Sequence, residues 1–155
     1  MANENRPKKR SNKILIIDAT GQDKVEFGLI LGQRYYAFTS ATDYQNRDEL
    51  LVTLKRFLHR KNIKLRDLTG LVVVKGPGPF TAVRVSVAIA NALHFSLQVP
   101  LYAVAKTGNF MIKNVFDKMR LGKISKTEFV KPIYNHPPNI TKPKKINKMK
   151  SGAVI

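Results

Sequence analysis

Three kinds of apolar pattern alternate along this chain. The first is a bare run, Ile14-Leu15-Ile16-Ile17 and again Leu71-Val72-Val73-Val74, with no polar residue to mark an outer face. Such runs predict strands covered on both sides. The second is the mixed strand: Val25 to Leu31 and Arg34 to Thr39, joined by Gly32-Gln33, a tight turn in which glycine supplies a positive φ. The third is helical spacing. Leu50, Leu54, Phe57 and Leu58 recur at i, i+4, i+7 and i+8, with Leu51 beside them. Asn46-Arg47-Asp48-Glu49 precedes that set as a capping side chain with Glu three residues on. The opposite face, Lys55, Arg56, His59 and Arg60, reads as solvated.

A second helix is predicted over Thr81 to Phe95. It is rich in small residues, with Val83, Val87, Ala90, Ala92 and Leu93 set among Ala82, Ser86 and Ala88. Leu101 to Val104 is a fifth strand introduced by Pro100, whose missing N–H suits a strand entrance. Phe110 to Met119 is a third helix. The order is β-β-β-α-β-α-β-α: a meander, then alternating helix and strand. It predicts an α/β fold with a mixed sheet, antiparallel at first and parallel afterwards. This order suits a single lobe of the ribonuclease H-like, actin-like ATPase (ASKHA) type.

Composition sets the domain limits. Residues 1–12 are polar, charged and aperiodic, and read as a disordered basic N-terminus. The folded lobe is expected over 13–121. Residues 122–155 read as a basic, Pro-rich tail with one docked segment around Ile133 and Tyr134. A chain of 155 residues suffices for one domain with a core. There is no Cys, which excludes disulfides and thiolate metal sites. The run Ile14–Ile17 is too short for a signal-peptide core or membrane span, so a cytoplasmic protein without membrane contact is expected.

The net charge of +18 is concentrated at the ends. Residues 1–13 carry five Lys/Arg against one Glu, and residues 106–155 carry twelve against two acids. Such tails attract polyanions through counterion release. Lys142, Lys144, Lys145 and Lys148 are the candidate RNA contacts.

Catalytic readings find little support. A two-metal nuclease needs several converging carboxylates. Asp18 and Glu26 lie on early strands, but the later strands carry no acid. His59, His94 and His136 sit in different settings, and Ser86 lacks a nucleophile elbow. No catalytic residue, metal or cofactor is expected. The segment Lys75-Gly76-Pro77-Gly78-Pro79-Phe80-Thr81 lies between strand and helix, where an anion cradle would form. It has no Gly-Lys-Ser/Thr ending and no third glycine, and Pro79 removes an N–H. Lys75, Gly76, Gly78, Thr81 and Arg84 are therefore candidates for an anion site or a structural turn. On the second helix, Val85, Ile89 and Ala92 form an apolar line that a monomer would leave exposed, which suggests a helix-mediated partner.

The run from Val72 to Arg84, with Gly76-Pro77-Gly78-Pro79-Phe80-Thr81-Ala82-Val83-Arg84 at its centre, resembles the G-P-G-S-F-T-G-[LIV]-R signature of the TsaB family. Ile14-Leu15-Ile16-Ile17-Asp18-Ala19-Thr20 is similar to that family's opening strand. Val99-Pro100-Leu101 resembles its fifth-strand entrance, and Tyr44-Gln45-Asn46 with Leu50-Leu51 its first helix start. The match covers about residues 13 to 106. The resemblance implies a non-catalytic scaffold, an inactive paralogue of a threonylcarbamoyltransferase subunit. Its partner would be a TsaD-like enzyme in a heterodimer that forms threonylcarbamoyladenosine (t6A) on tRNA, with a TsaE-like ATPase as accessory and tRNA met indirectly or through the basic tail. It also implies pairing through the two helices, Asp48 to Arg60 and Thr81 to Phe95. Leu50, Leu54, Phe57, Val85, Ile89, Ala90, Ala92 and Leu93 become the expected partner interface. Asn46, Pro79 and Ala82 depart from the pattern, which usually has His, Ser and Gly there. The family also has a second lobe, for which about fifty residues remain here. The alternative from the residues alone is a stand-alone RNA-binding module that uses its basic tails.

Overall fold

The structure, a computed structural model, describes residues 11–41 and 49–135. The first capping motif and the candidate Lys142, Lys144, Lys145 and Lys148, together with His136, lie outside the described residues. Six strands form one mixed sheet: β1 (Lys13–Asp18), β2 (Lys24–Leu31), β3 (Arg34–Ala41), β4 (Gly70–Val74), β5 (Leu101–Val104) and β6 (Lys126–Thr127). Their order across the sheet is β3-β2-β1-β4-β5-β6. β1, β2 and β3 are antiparallel neighbours; β4 runs parallel to β1 and β5 parallel to β4. β6 returns antiparallel to β5. The expected α/β ribonuclease H-like architecture is what forms, with β6 and a 3₁₀ turn at Leu65–Asp67 as additions.

Three helices cover the sheet: α1 (Glu49–Arg60), α2 (Phe80–Leu97) and α3 (Ile112–Arg120). Strand periodicity divides the core between two faces. Leu15, Ile17, Phe27, Leu29, Leu71 and Val73 point to one face, where α1 contributes Leu54, Phe57 and Leu58 and α2 contributes Val83, Val87 and Ala90. Ile16, Ile30, Val72 and Val74 point to the other, against Ile112, Val115 and Phe116 of α3. Double coverage explains why β1 and β4 show no polar alternation: all five residues of β4 are buried. α1 is fixed by ring packing, with Phe57 stacked at 6.0 Å from Phe27 and 5.7 Å from Phe38. Together these aromatic and aliphatic side chains remove enough apolar area to hold the helix down, at roughly 25 cal/mol per Å² buried.

The lobe does not stop at Leu121. β6 pairs Lys126 with Tyr102 and Thr127 with Leu101. Val130 is buried in the α1–α2 core, and the chain then crosses the start of α2 to reach Tyr134. The boundary expected at 121 therefore falls about a dozen residues early. Local pattern could not reveal this, because a two-residue strand and one buried valine carry no periodicity.

Candidate functional site

The glycine-proline turn between β4 and α2 is closed by backbone. The Lys75 N–H donates to Val104 (2.9 Å), the Lys106 N–H donates to Gly76 (2.7 Å), and the Ile133 N–H donates to the Lys75 carbonyl (2.6 Å). Gly76 has φ +113, and a Cβ there would run into the Ile133 carbonyl. A Cβ on Gly78 would come within 2.7 Å of the Thr20 Cα and 2.8 Å of Val83. Both glycines are thus required by close approach: Gly76 by the segment that ends at Tyr134, Gly78 by the turn after β1. The peptide between Gly76 and Pro77 is cis. The helix start itself has no side-chain cap, since Pro79 occupies the N-cap position.

Residues 126–134 form a strap over this turn. Asn91 of α2 holds it with two bonds. Its Nδ2 donates to the Val130 carbonyl (3.0 Å), and its Oδ1 accepts the Val130 N–H (2.9 Å). Gly78 bridges to Tyr134, whose ring lies 4.4 Å from that of Phe80. Among the candidate anion or turn residues, Lys75, Gly76 and Gly78 make up the closed turn, while Thr81 and Arg84 stand exposed on the first turns of α2. Sequence reasoning missed Asn91, which has the look of an ordinary polar residue in a helix. Only Ile133 and Tyr134 among prolines signalled that this stretch could dock.

The expected partner-interface residues separate into two groups. Leu54, Phe57 and Ala90 are buried in the core, with Leu54 and Ala90 at 0% exposure. They face the sheet and present nothing to a partner, which corrects the expectation for those three. Leu50, Val85, Ile89 and Leu93 are half-buried, and Ala92 is exposed. The physical reason is α2 itself. It is apolar on nearly all sides, so the sequence could not say which line would face inward. Five of its residues, Ala82, Val83, Ser86, Val87 and Ala90, take the buried line. Val85, Ala88, Ile89, Ala92 and Phe95 are left to the outer side, with Phe95 79% exposed. On α1, Leu51 and Val52 are exposed as well. α2 is long and apolar enough to cross a membrane by length and composition, a test that a core helix also passes.

The acidic candidates lie beside a cleft of about 360 Å³ on the α3 side of the sheet, lined among others by Asp18, Lys24, Glu26, Tyr35 and Lys113. Asp18 and Glu26 are cross-strand partners. Asp18 Oδ1 accepts both the N–H (2.9 Å) and the hydroxyl (2.6 Å) of Thr20, as a turn residue does. Glu26 is paired with Lys24 at 2.8 Å, and that hydrogen bond raises the Lys24 pKa. Burial, aided by the charge of Glu26, pushes the Tyr35 hydroxyl up to about 12, and its oxygen is buried without a hydrogen-bond partner among the described residues. Among the described residues no group of three His, Asp or Glu side chains is arranged to hold a metal ion. Ser86 is buried, and its hydroxyl donates to the Val83 carbonyl at 3.0 Å. His94 Nδ1 donates to the Val99 carbonyl at 2.6 Å, while His59 is exposed on α1.

Comparison with known proteins bears on this arrangement. Residues 42–118 match the family model described as TsaD, tRNA N6-adenosine threonylcarbamoyltransferase. A curated protein of Buchnera aphidicola (from Schizaphis graminum) named tRNA threonylcarbamoyladenosine biosynthesis protein TsaB is 30% identical over 95 residues, covering 61% of this chain and 45% of that protein. The protein of the same name from Bacillus subtilis is 48% identical over 40 residues, covering 26% of this chain and 18% of that protein. Over these stretches the chain is similar to TsaB proteins. YeaZ from Pseudomonas aeruginosa has the same fold, with a TM-score of 0.56 at 23% identity over 61% of this chain and 44% of that one. The chain spans about half the length or less of the curated relatives it matches.

Proposed function

We propose that this chain is a non-catalytic scaffold for a TsaD-like enzyme in the formation of threonylcarbamoyladenosine on tRNA. The observation that carries the reading is the outer side of α2. On the outer side of this 18-residue helix Ala88, Ala92 and Phe95 are exposed and Val85 and Ile89 half-buried, and Leu51 and Val52 are exposed on α1. A monomer leaves such a patch uncovered at a cost in solubility, whereas a partner helix would bury it. The names of the relatives point the same way, since they are threonylcarbamoyladenosine biosynthesis proteins. The non-catalytic part of the reading is supported by Asp18, which serves its own turn, and by the glycine turn, where Lys75 is bonded by Val104 and Ile133 and the Gly76 carbonyl by Lys106. The interface residues carried forward are Val85, Ile89, Ala92, Leu93 and Leu50, with Ala88 and Phe95 added.

Co-expression with the TsaD of the same source, followed by size-exclusion chromatography, tests the pairing. The two chains are expected to co-elute. Ala88→Arg and Ile89→Arg are each expected to abolish co-elution while leaving the circular dichroism spectrum unchanged. Separate elution of the native chain, or retention of the complex by both folded variants, overturns the reading.

A further inference from the structure

The second half of α1 and the turn after it hold a dense cationic cluster: Lys55, Arg56, Arg60, Lys61, Lys64 and Arg66 fall within twelve residues, with no carboxylate among them. All but Lys61 are exposed. Asp67 follows, but its carboxylate accepts the Lys64 backbone N–H at 2.9 Å. The ion pairs of the described residues are Lys24 with Glu26 and His94 with Glu128, so these six cations have no acidic partner among the described residues.

The fold adds to the cluster. Lys13 is held to Thr69 by two bonds, from its N–H to the threonine hydroxyl (2.8 Å) and from the Thr69 N–H to its carbonyl (2.8 Å). Lys13 pairs with Leu31 and Leu31 with Arg34, so both cations sit at the end of the sheet where β4 begins. The end of α1 lies over the face of β3, with its contacts at Phe38, level with Ile17, and at Tyr36, level with Leu15 and closer to that end of the sheet. The Arg60 guanidinium lies 5.6 Å from the Phe38 ring centroid, and Lys61 Nζ 4.0 Å from that of Tyr36. These contacts hold two cations against the sheet. A shallow depression of about 400 Å³ between Lys13, Arg66 and Asp67 completes the surface.

Cations in the last turn of a helix are favoured by its dipole, which accounts for Arg60. It does not account for Lys64 and Arg66, which lie beyond the helix, or for Lys13 and Arg34 on strands. We propose that this end of the sheet is a docking surface for the phosphodiester backbone of RNA. Several unpaired cations on four elements of one folded surface are what a polyphosphate chain needs, since each neutralised phosphate releases a counterion. A lipid surface is the poorer fit. Of the large exposed apolar side chains, Leu51 and Val52 stand one helical turn before Lys55 and Arg56, but none falls in residues 53–70, so Arg60, Lys61, Lys64 and Arg66 have no apolar anchor close in sequence for a membrane. The surface is distinct from the apolar side of α2, and its test uses this chain alone, so failure here leaves the scaffold reading where it stood.

The experiment measures binding of a fluorescent tRNA transcript to the full chain by anisotropy over a range of KCl concentrations. A variant combining Arg60→Gln, Lys61→Gln, Lys64→Gln and Arg66→Gln is compared with one combining Lys113→Gln, Lys118→Gln, Arg120→Gln and Lys123→Gln, which removes the same charge from the α3 side. The first is expected to bind about tenfold more weakly or worse, with a log–log salt slope shallower by about three; the second should change affinity less than about threefold. Equal losses, or none in the first variant, overturn the proposal. A footprint on the native chain guards against misfolding: tRNA should protect Lys61 and Lys64 from acylation more than Lys113 and Lys118. Uniform protection, or equal protection of Lys61 and Lys64 by phosphatidylserine vesicles, counts against an RNA site.

Discussion

The turn between β4 and α2 shows how single residues fix this fold. Gly76 and Gly78 do different work. Gly76 takes a φ of +113 and yields space to a strand-like segment from the far end of the lobe; Gly78 lets the turn after β1 lie against the helix start. Gly76→Ala and Gly78→Ala are each expected to cost about 1–3 kcal/mol by overpacking, measured by urea denaturation. Gly32→Ala, at φ +61 with open space around it, should cost only the backbone strain, about 1–2 kcal/mol. Tyr35 offers a pH test. Its folded pKa, about 12, lies above the ordinary tyrosine value of 10.0. The folded state therefore keeps a proton that the unfolded chain releases, so stability from this group is intact below about pH 10 and falls as pH rises toward 12. Tyr35→Phe should flatten that part of the stability curve relative to the native chain, and should not destabilise at pH 7, because it removes a hydroxyl that has no partner while keeping the ring stacked 5.5 Å from Phe116. The turn was legible in the sequence as a place where glycine mattered. What it touched was not, because Ile133 lies more than fifty residues away and no local pattern links the two.

Among the elements, the bare apolar runs were the most informative. Ile14–Ile17 and Leu71–Val74 predicted strands covered on both faces, and they pair side by side in the middle of the sheet. The amphipathic pattern of α1 included its buried residues Leu54, Phe57 and Leu58, although Leu54 and Phe57 were also expected at a partner surface and Leu51 of the same set is exposed. α2 was the opposite case. With apolar residues on most sides it announced burial without direction, and the line that turned inward included Ala90, expected at a partner surface. The strap was the least legible element, since its anchor is a side chain on another element. Asn91→Ala removes both bonds to Val130 and is expected to destabilise by about 1–3 kcal/mol. Hydrogen exchange should locate the effect: the Ile133 amide, which donates to Lys75, should exchange faster in the variant while those of β1 change little. Uniform acceleration would mean that the strap and the sheet open as one unit.

For the molecule as a whole, charge is the dominant feature. A net charge of +18 on 155 residues opposes compaction through self-repulsion. The melting temperature is therefore expected to rise as salt increases from about 0.01 to 0.15 M, where screening becomes effective over about 8 Å; a fall would mean that specific ion pairs outweigh the repulsion. Composition made that charge obvious. It did not show that part of it would be gathered at one end of the sheet, because strand pairing brings Lys13 to Arg34, and the Lys13–Thr69 bonds bring the turn that carries Arg66. The two sides of the sheet also differ. β6, two residues long, pairs along the edge of β5, while β3, with eight residues, ends the sheet on the other side. A sheet can polymerise by lateral addition only if each copy offers two pairing edges. With the other edge reduced to the two residues of β6, addition at β3 would join two copies through a two-fold axis and then meet only a ladder too short to hold a further strand, so a strand of two residues acts as a chain terminator for fibril growth.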